Sequence, residues 1–164
     1  MDKSNQKVFA LKYRPKNFKE LIGQDIMVQT IVNSIKSNNL PNAYLLTGIR
    51  GTGKTTTARL IAKVLNCAKN FIAEKPGEYC DCKNCEEISN SSHLDVLEMD
   101  AASRTGIDDI RELIESSRYN PTSAKYKIFI IDEIHMLSKQ AFNGLLKTLE
   151  EPPAHVKFIF ATTE

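Results

Sequence analysis

The sequence predicts an α/β fold: one parallel sheet flanked by helices. Three observations carry the prediction. Four short apolar runs, rich in β-branched and aromatic residues, recur along the chain. Segments of helical periodicity separate them. A glycine-rich stretch follows the first run and opens a helix, and open α/β sheets bind ligands beyond the carboxyl ends of their strands.

The runs are "AYLLTG" (Ala43 to Gly48), "LDVLEMD" (Leu94 to Asp100), "YKIFIID" (Tyr126 to Asp132) and "VKFIFATT" (Val156 to Thr163). They are mostly continuous rather than alternating, as strands buried on both faces are. A helix is expected from Thr55 to Leu65. Ile107, Ile110, Leu113 and Ile114 fall at helical spacing after the start signal Thr105, and Phe142, Leu145, Leu146 and Leu149 do so after Ser138. Both apolar stripes are expected to pack on the sheet.

At 164 residues, 41% hydrophobic and 26% charged, the chain has the composition of one globular domain. Its 22 basic residues nearly balance 20 acidic ones, so net charge gives no argument for nucleic-acid binding. The basic start, "MDKSNQKVFALKYRPKNFKE", lacks the apolar run of a signal peptide, and no segment is apolar for a membrane span. A soluble, cytoplasmic protein is expected. Three of four cysteines lie within "CDCKNC", and in a reducing compartment such clustering points to metal or redox chemistry rather than structural disulfides.

The exit of the first strand carries "GIRGTGKTT", in which Gly48, Gly53, Lys54 and Thr55 match G-x-x-x-x-G-K-[ST] between a strand and a helix. This is a P-loop. Backbone N–H groups converge on phosphate oxygens where no Cβ blocks the approach, hence Gly51 and Gly53. Lys54 supplies charge to the β and γ phosphates, Thr55 a hydroxyl to Mg²⁺, and the helix its positive end to the anion. The contact set expected for ATP is Gly48, Ile49, Arg50, Gly51, Thr52, Gly53, Lys54, Thr55 and Thr56.

The third strand ends in Asp132 and Glu133. From there Asp132 can reach the P-loop Mg²⁺, and Glu133 can orient and deprotonate an attacking water, so the doublet argues for ATP hydrolysis. His135 is read as a neighbour rather than a catalyst. In the terminal "ATTE", Thr163 is favoured over Thr162 as a hydroxyl that reports the γ-phosphate.

Four separated segments together carry a resemblance: "LKYRPKNFKELIGQ", "GIRGTGKTT", "DAASRTGIDDIR" and "IIDEIHMLSKQAFNGLLKTLEEPPAHVKFIFATTE". Over residues 8 to 164 the chain resembles the N-terminal AAA+ module of the bacterial DNA polymerase III gamma and tau subunit, a clamp-loader ATPase. The resemblance implies a nucleotide-binding domain over 1–164 with a small zinc module inserted at 67–85. It implies that Tyr13, Arg14 and Pro15, followed by Leu21 and Ile22, pack over the adenine and ribose. Lys12, Lys16 and Lys19 are read as solvated charges.

The family's zinc pattern is a first cysteine followed by C-x₂-C-x₂-C. Here Cys80, Asp81 and Cys82 give C-x-C, with a longer gap after Cys67, and Cys85 completes the set. The resemblance implies one Zn²⁺ on Cys67, Cys80, Cys82 and Cys85; free thiols and a disulfide remain the alternatives.

By the same resemblance the cofactors are ATP, Mg²⁺ and Zn²⁺, and the partners are other clamp-loader subunits, a sliding clamp, primer–template DNA and the polymerase core. No membrane is implied. ATP binding and hydrolysis would drive loading of the clamp on primed DNA, while nucleotidyl transfer belongs to another subunit of the holoenzyme. The family continues with a fifth strand, a helical lid, a Ser-Arg-Cys motif whose arginine reaches a neighbouring ATP, and a collar. This chain is therefore expected to be an incomplete domain, monomeric and weak in hydrolysis by itself, within a hetero-oligomeric full-length protein. Two alternatives are a zinc-stabilised module that binds nucleotide without turnover and another AAA+ DNA-processing ATPase.

Overall fold

The computed structural model describes residues 13–69, 80–104 and 106–164. Four strands, β1 (Ala43–Thr47), β2 (Val96–Asp100), β3 (Lys127–Asp132) and β4 (Val156–Thr162), form one parallel sheet in the order β1-β4-β3-β2. The helices are α1 (Asp25–Lys36), α2 (Lys54–Asn66), α3 (Lys83–Ser89), α4 (Ile107–Ser117) and α5 (Lys139–Glu150). Single 3₁₀ turns lie at Phe18–Glu20 and Ile134–Met136.

The two-residue alternation of a strand sorts the core into two layers. Ile128, Ile130 and Ile159 meet Ala58, Ile61, Ala62 and Leu65 of α2, with Ile31 of α1 and Phe18 and Leu21 of the N-terminal arm. Phe129, Ile131, Val156, Phe158 and Phe160 point the other way, onto Ile110 and Leu113 of α4 and Ala141 and Leu145 of α5. Phe158 stacks on Phe129 with ring centroids 5.5 Å apart, which joins the two central strands on that face.

Burial on both faces holds for the central strands, since every residue of β4 and the middle of β3 is buried. It fails for β1, whose residues alternate between exposed and half-buried, leaving Leu45 62% exposed. It fails also for β2, where only Val96 is buried. Both strands are sheet edges, and an apolar run does not say which position in the sheet a strand will take.

The helix expected from Thr55 to Leu65 is α2, and nearly all of it is buried because sheet, arm and α3 surround it. Arg59 is half-buried, as are Lys54 and Thr55 of the first turn, and binds both carboxylate oxygens of Glu98 on β2 at 2.6 and 2.7 Å. Ser138 caps α5 by accepting from the Ala141 N–H. The start signal Thr105 lies outside the described residues. Among the described residues no helix is long and apolar enough to cross a membrane.

Candidate functional site

The β1–α2 loop reaches its shape through Gly48, Gly51 and Gly53, all at positive φ (145°, 85° and 83°). A Cβ at Gly51 or Gly53 would meet nothing within 4 Å, so it would project into open space, while one at Gly48 would stand 3.3 Å from the Thr52 hydroxyl. The left-handed conformation fixes these glycines, and their bare faces leave a cradle. Lys54 reaches back across the loop and donates to the carbonyls of Gly48 (2.7 Å) and Ile49 (3.0 Å).

The hydroxyl of Thr55, in the first turn of α2, donates to Oδ2 of Asp132 at the end of β3. The other Asp132 oxygen accepts from the N–H of Glu133 at 3.0 Å. Glu133 sits in the left-handed region at φ 52° and ψ 47°, which costs a β-carbon-bearing residue roughly 1 kcal/mol. That turn swings its carboxylate across the strand ends, where Oε2 accepts from the Thr163 hydroxyl at 3.2 Å and lies 3.4 Å from Nδ1 of His135. The same Nδ1 is 2.8 Å from the Thr162 hydroxyl, which also accepts from the N–H of Glu164. The structure therefore separates the two threonines: Thr162 is buried against His135, and Thr163 is exposed and touches Glu133.

The strand ends and the loop surround one cleft of about 800 Å³. Arg50, Gly51, Gly53, Lys54, Thr55, Thr56, Asp132, Glu133 and Thr163 are on its wall, as are Tyr13, Arg14 and Pro15 of the arm. Gly48, Ile49 and Thr52 shape the loop from outside that wall; Ile49 is 76% exposed and Thr52 donates to its carbonyl. Ile22 lies outside the residues that line the cleft. It is 95% exposed, because the neighbouring Leu21 takes the inward position in the core. Lys12 lies outside the described residues, and Lys16 and Lys19 are exposed.

Asp100, which sequence reasoning did not single out, and His135, which it read as a neighbour, are both on the cleft wall. Asp100 ends β2 directly opposite Asp132 in register, and its Oδ1 accepts from the N–H of Ala102 at 2.8 Å. Its place at a strand exit was a usable signal. His135 had none, since its contacts depend on the Glu133 turn.

The four cysteines converge although their spacing is C-x-C followed by C-x₂-C. Their Sγ atoms all lie within 4.8 Å of one another, with Cys67 3.6 Å from Cys80 and 4.0 Å from Cys82. All four are buried and belong to the α2 core layer. Cys67 caps α2, and Cys85 is carried by α3, a helix the sequence reading did not anticipate. Burial pushes the Cys82 thiol up, but hydrogen bonds from the backbone of Cys85 and Ala68 and from the Cys85 and Cys80 thiols outweigh it and bring the group down to about 7. Burial, reinforced by the neighbouring sulfurs, pushes Cys85 well up. Lys69 and Asp81, the latter between Cys80 and Cys82 in the chain, form an exposed ion pair at 3.0 Å.

A family model described as DNA polymerase III, delta subunit matches residues 23–164. The tau/gamma subunit of DNA polymerase III from Haemophilus influenzae is 48% identical over 157 residues, 96% of this chain and 22% of that protein. The gamma/tau subunit of Mycoplasma genitalium is 50% identical over 157 residues, 96% of this chain and 26% of that protein. The chain belongs to the DNA polymerase III gamma/tau family. It corresponds to the N-terminal domain of that subunit and spans about a quarter of the length of these relatives. Among solved structures, a gamma-subunit-related protein of Thermotoga maritima superposes with a TM-score of 0.60 at 23% identity, covering 83% of this chain and 39% of that one. The Holliday-junction branch-migration motor RuvB of the same organism gives 0.57 at 20% identity, covering 93% and 42%. Those two likenesses concern the fold alone, a parallel α/β sheet flanked by helices.

Proposed function

We propose that this gamma/tau domain binds ATP with Mg²⁺ and hydrolyses it within a bacterial clamp loader, coupling nucleotide turnover to loading of a sliding clamp on primed DNA. The observation that carries the proposal is the bridge from Thr55 to Asp132, which sets a hydroxyl and a carboxylate beside the phosphate cradle with Glu133 next in the chain. Hard oxygen donors of this kind suit Mg²⁺. Thr55 and Asp132 would hold the Mg²⁺, which would supply positive charge against the phosphates there.

The residues then divide the work. The cradle N–H groups and the start of α2 bind the phosphates, and Lys54 exchanges the Gly48 and Ile49 carbonyls for phosphate oxygens. Thr55 and Asp132 hold the metal. Glu133, within reach of the cleft and fixed by Thr163 and His135, takes the proton of an attacking water; Thr163 stands where it can respond to the γ-phosphate. Tyr13, Arg14 and Pro15 close the cleft from the arm side. The other subunits, the clamp, primer–template DNA and the polymerase core are partners of the full-length protein in this reading, which acts in the cytoplasm.

The four cysteines hold one structural Zn²⁺ in the same reading. A tetrahedral centre with Zn–S bonds of about 2.3 Å places its sulfurs about 3.8 Å apart, close to the 3.6 and 4.0 Å separations seen here. With four protein ligands it keeps no open position for catalysis.

Two measurements test the reading. Titration of ATP into the full-length protein is expected to give Mg²⁺-dependent binding that Lys54→Ala abolishes; equal affinity in the variant would refute P-loop binding. Metal content of protein purified without added zinc is expected near one zinc per chain, with the four thiols unreactive. Reactive thiols and no metal would refute the zinc centre.

A further inference from the structure

Lys63 of α2 is only 4% exposed. Its ammonium makes one hydrogen bond, a 3.5 Å contact to the carbonyl of Lys16, and pairs with no carboxylate among the described residues. A buried charge in that position calls for a counter-charge. Two other cations face it, Lys16 and Arg59, but Glu98 already takes Arg59 with both oxygens. Glu20, a carboxylate whose charge acts on Lys63, is exposed and accepts from the Lys16 N–H and from Asn17. Burial pushes the Lys63 ammonium below its ordinary value, and the largest influence in the opposite direction is Cys85.

Lys63 precedes Cys67 by four residues along α2, so the two lie on one helix face. It lines a cleft of about 400 Å³ between Arg14, Pro15 and Lys16 of the arm and Glu86 and Ser89 of α3, the helix that carries Cys85. Arg14 and Pro15 belong also to the wall of the nucleotide cleft. Phe18 and Leu21 of the arm share one core layer with the four cysteines.

We propose that Lys63 is the counter-cation of the tetrathiolate metal centre and, by holding the Lys16 carbonyl, ties that centre to the arm beside the nucleotide cleft. The inference rests on the zinc reading. Four thiolates around one Zn²⁺ leave two net negative charges, and a buried ammonium offsets one of them. Removal of the metal leaves neutral thiols and an uncompensated cation in the same wall, so Lys63 and the arm lose their common anchor. Metal occupancy thereby sets nucleotide affinity, although the zinc centre itself touches no nucleotide.

The test uses full-length protein as wild type, Lys63→Met and Lys63→Arg, with two readouts: zinc retention against a chromogenic chelator and affinity for a fluorescent ADP analogue. Lys63→Met is expected to weaken zinc binding by about 10-fold to 100-fold, the range for partners of metal ligands, with Lys63→Arg near wild type. Stripping zinc from the wild type is expected to weaken ADP binding severalfold. In Lys63→Met that affinity is already reduced, and stripping changes it little. Zinc held as tightly by Lys63→Met as by wild type overturns the counter-cation, and an ADP affinity indifferent to zinc overturns the link to the arm. Wild-type protein that takes up no zinc removes the zinc reading itself, and the inference with it.

Discussion

The Thr55 hydroxyl donates to the Asp132 carboxylate, joining the start of α2 to the end of β3 across the mouth of the sheet. Both side chains carry hard oxygen donors of the kind Mg²⁺ takes, and under the proposed function this pair would hold the metal. Thr55→Val keeps the shape of the side chain and removes one donor. It is expected to lower the Mg²⁺-dependent part of nucleotide affinity by about tenfold or more while leaving binding in chelator unchanged, as read by calorimetry with ADP. An unchanged magnesium dependence would remove Thr55 from the site.

Asp95 has a stabilising role away from the chemistry. It is 1% exposed and accepts from the backbone N–H groups of Thr122 (2.7 Å), Ser123 (2.8 Å) and Ala124 (2.9 Å). Asp95→Ala leaves those donors without their acceptor and is expected to cost about 3 kcal/mol in denaturant unfolding. Burial pushes the carboxyl up, but the three backbone hydrogen bonds and the Ser123 hydroxyl outweigh it, so its value lies below the ordinary one. The folded state then binds the proton less readily than the unfolded state. The contribution of Asp95 is full above the unfolded carboxylate value and is lost as pH falls through the lower folded value. Unfolding midpoints of wild type and Asp95→Asn, followed into acid, are expected to converge.

Glu133 pays in backbone strain for its position at φ 52°. Glu133→Gly is expected to raise stability by up to about 1 kcal/mol while abolishing turnover, since glycine enters the left-handed region freely. A thermal melt and a steady-state assay on the same preparation separate the two effects. A loss of stability would mean that the Thr163 and His135 contacts outweigh the strain.

Much of the site was legible because each of its chemical groups ends a strand or follows a glycine. The P-loop, Asp132, Glu133 and Thr163 declare themselves by residue type at a strand exit, and the structure gathers them in one cleft. What sequence could not give was position across the sheet. Leu45 and Leu97 read as core residues, yet they are 62% and 41% exposed because β1 and β2 are edges. Ile22 and Leu21 are equivalent as apolar residues, and only packing decides that Leu21 turns inward. The grouping of the four cysteines was implied by the resemblance, but its means was hidden for a related reason: α3 starts at Lys83 and returns Cys85 toward Cys67, so a C-x-C spacing still brings all four sulfurs together. Lys63 is a charged residue in a helix that the structure buries almost completely, and no local pattern announces that.

The most direct measurement of the central claim is ATP turnover by full-length protein carrying Glu133→Gln, assembled with its partner subunits, with nucleotide affinity measured alongside. The account predicts ATP affinity close to wild type and a rate lower by about 10² to 10⁴, the loss expected when a general base is removed. A variant that hydrolyses ATP at the wild-type rate would contradict the assignment of Glu133 as the base. A wild-type assembly that binds ATP without turning it over would make this domain a nucleotide-dependent binding module.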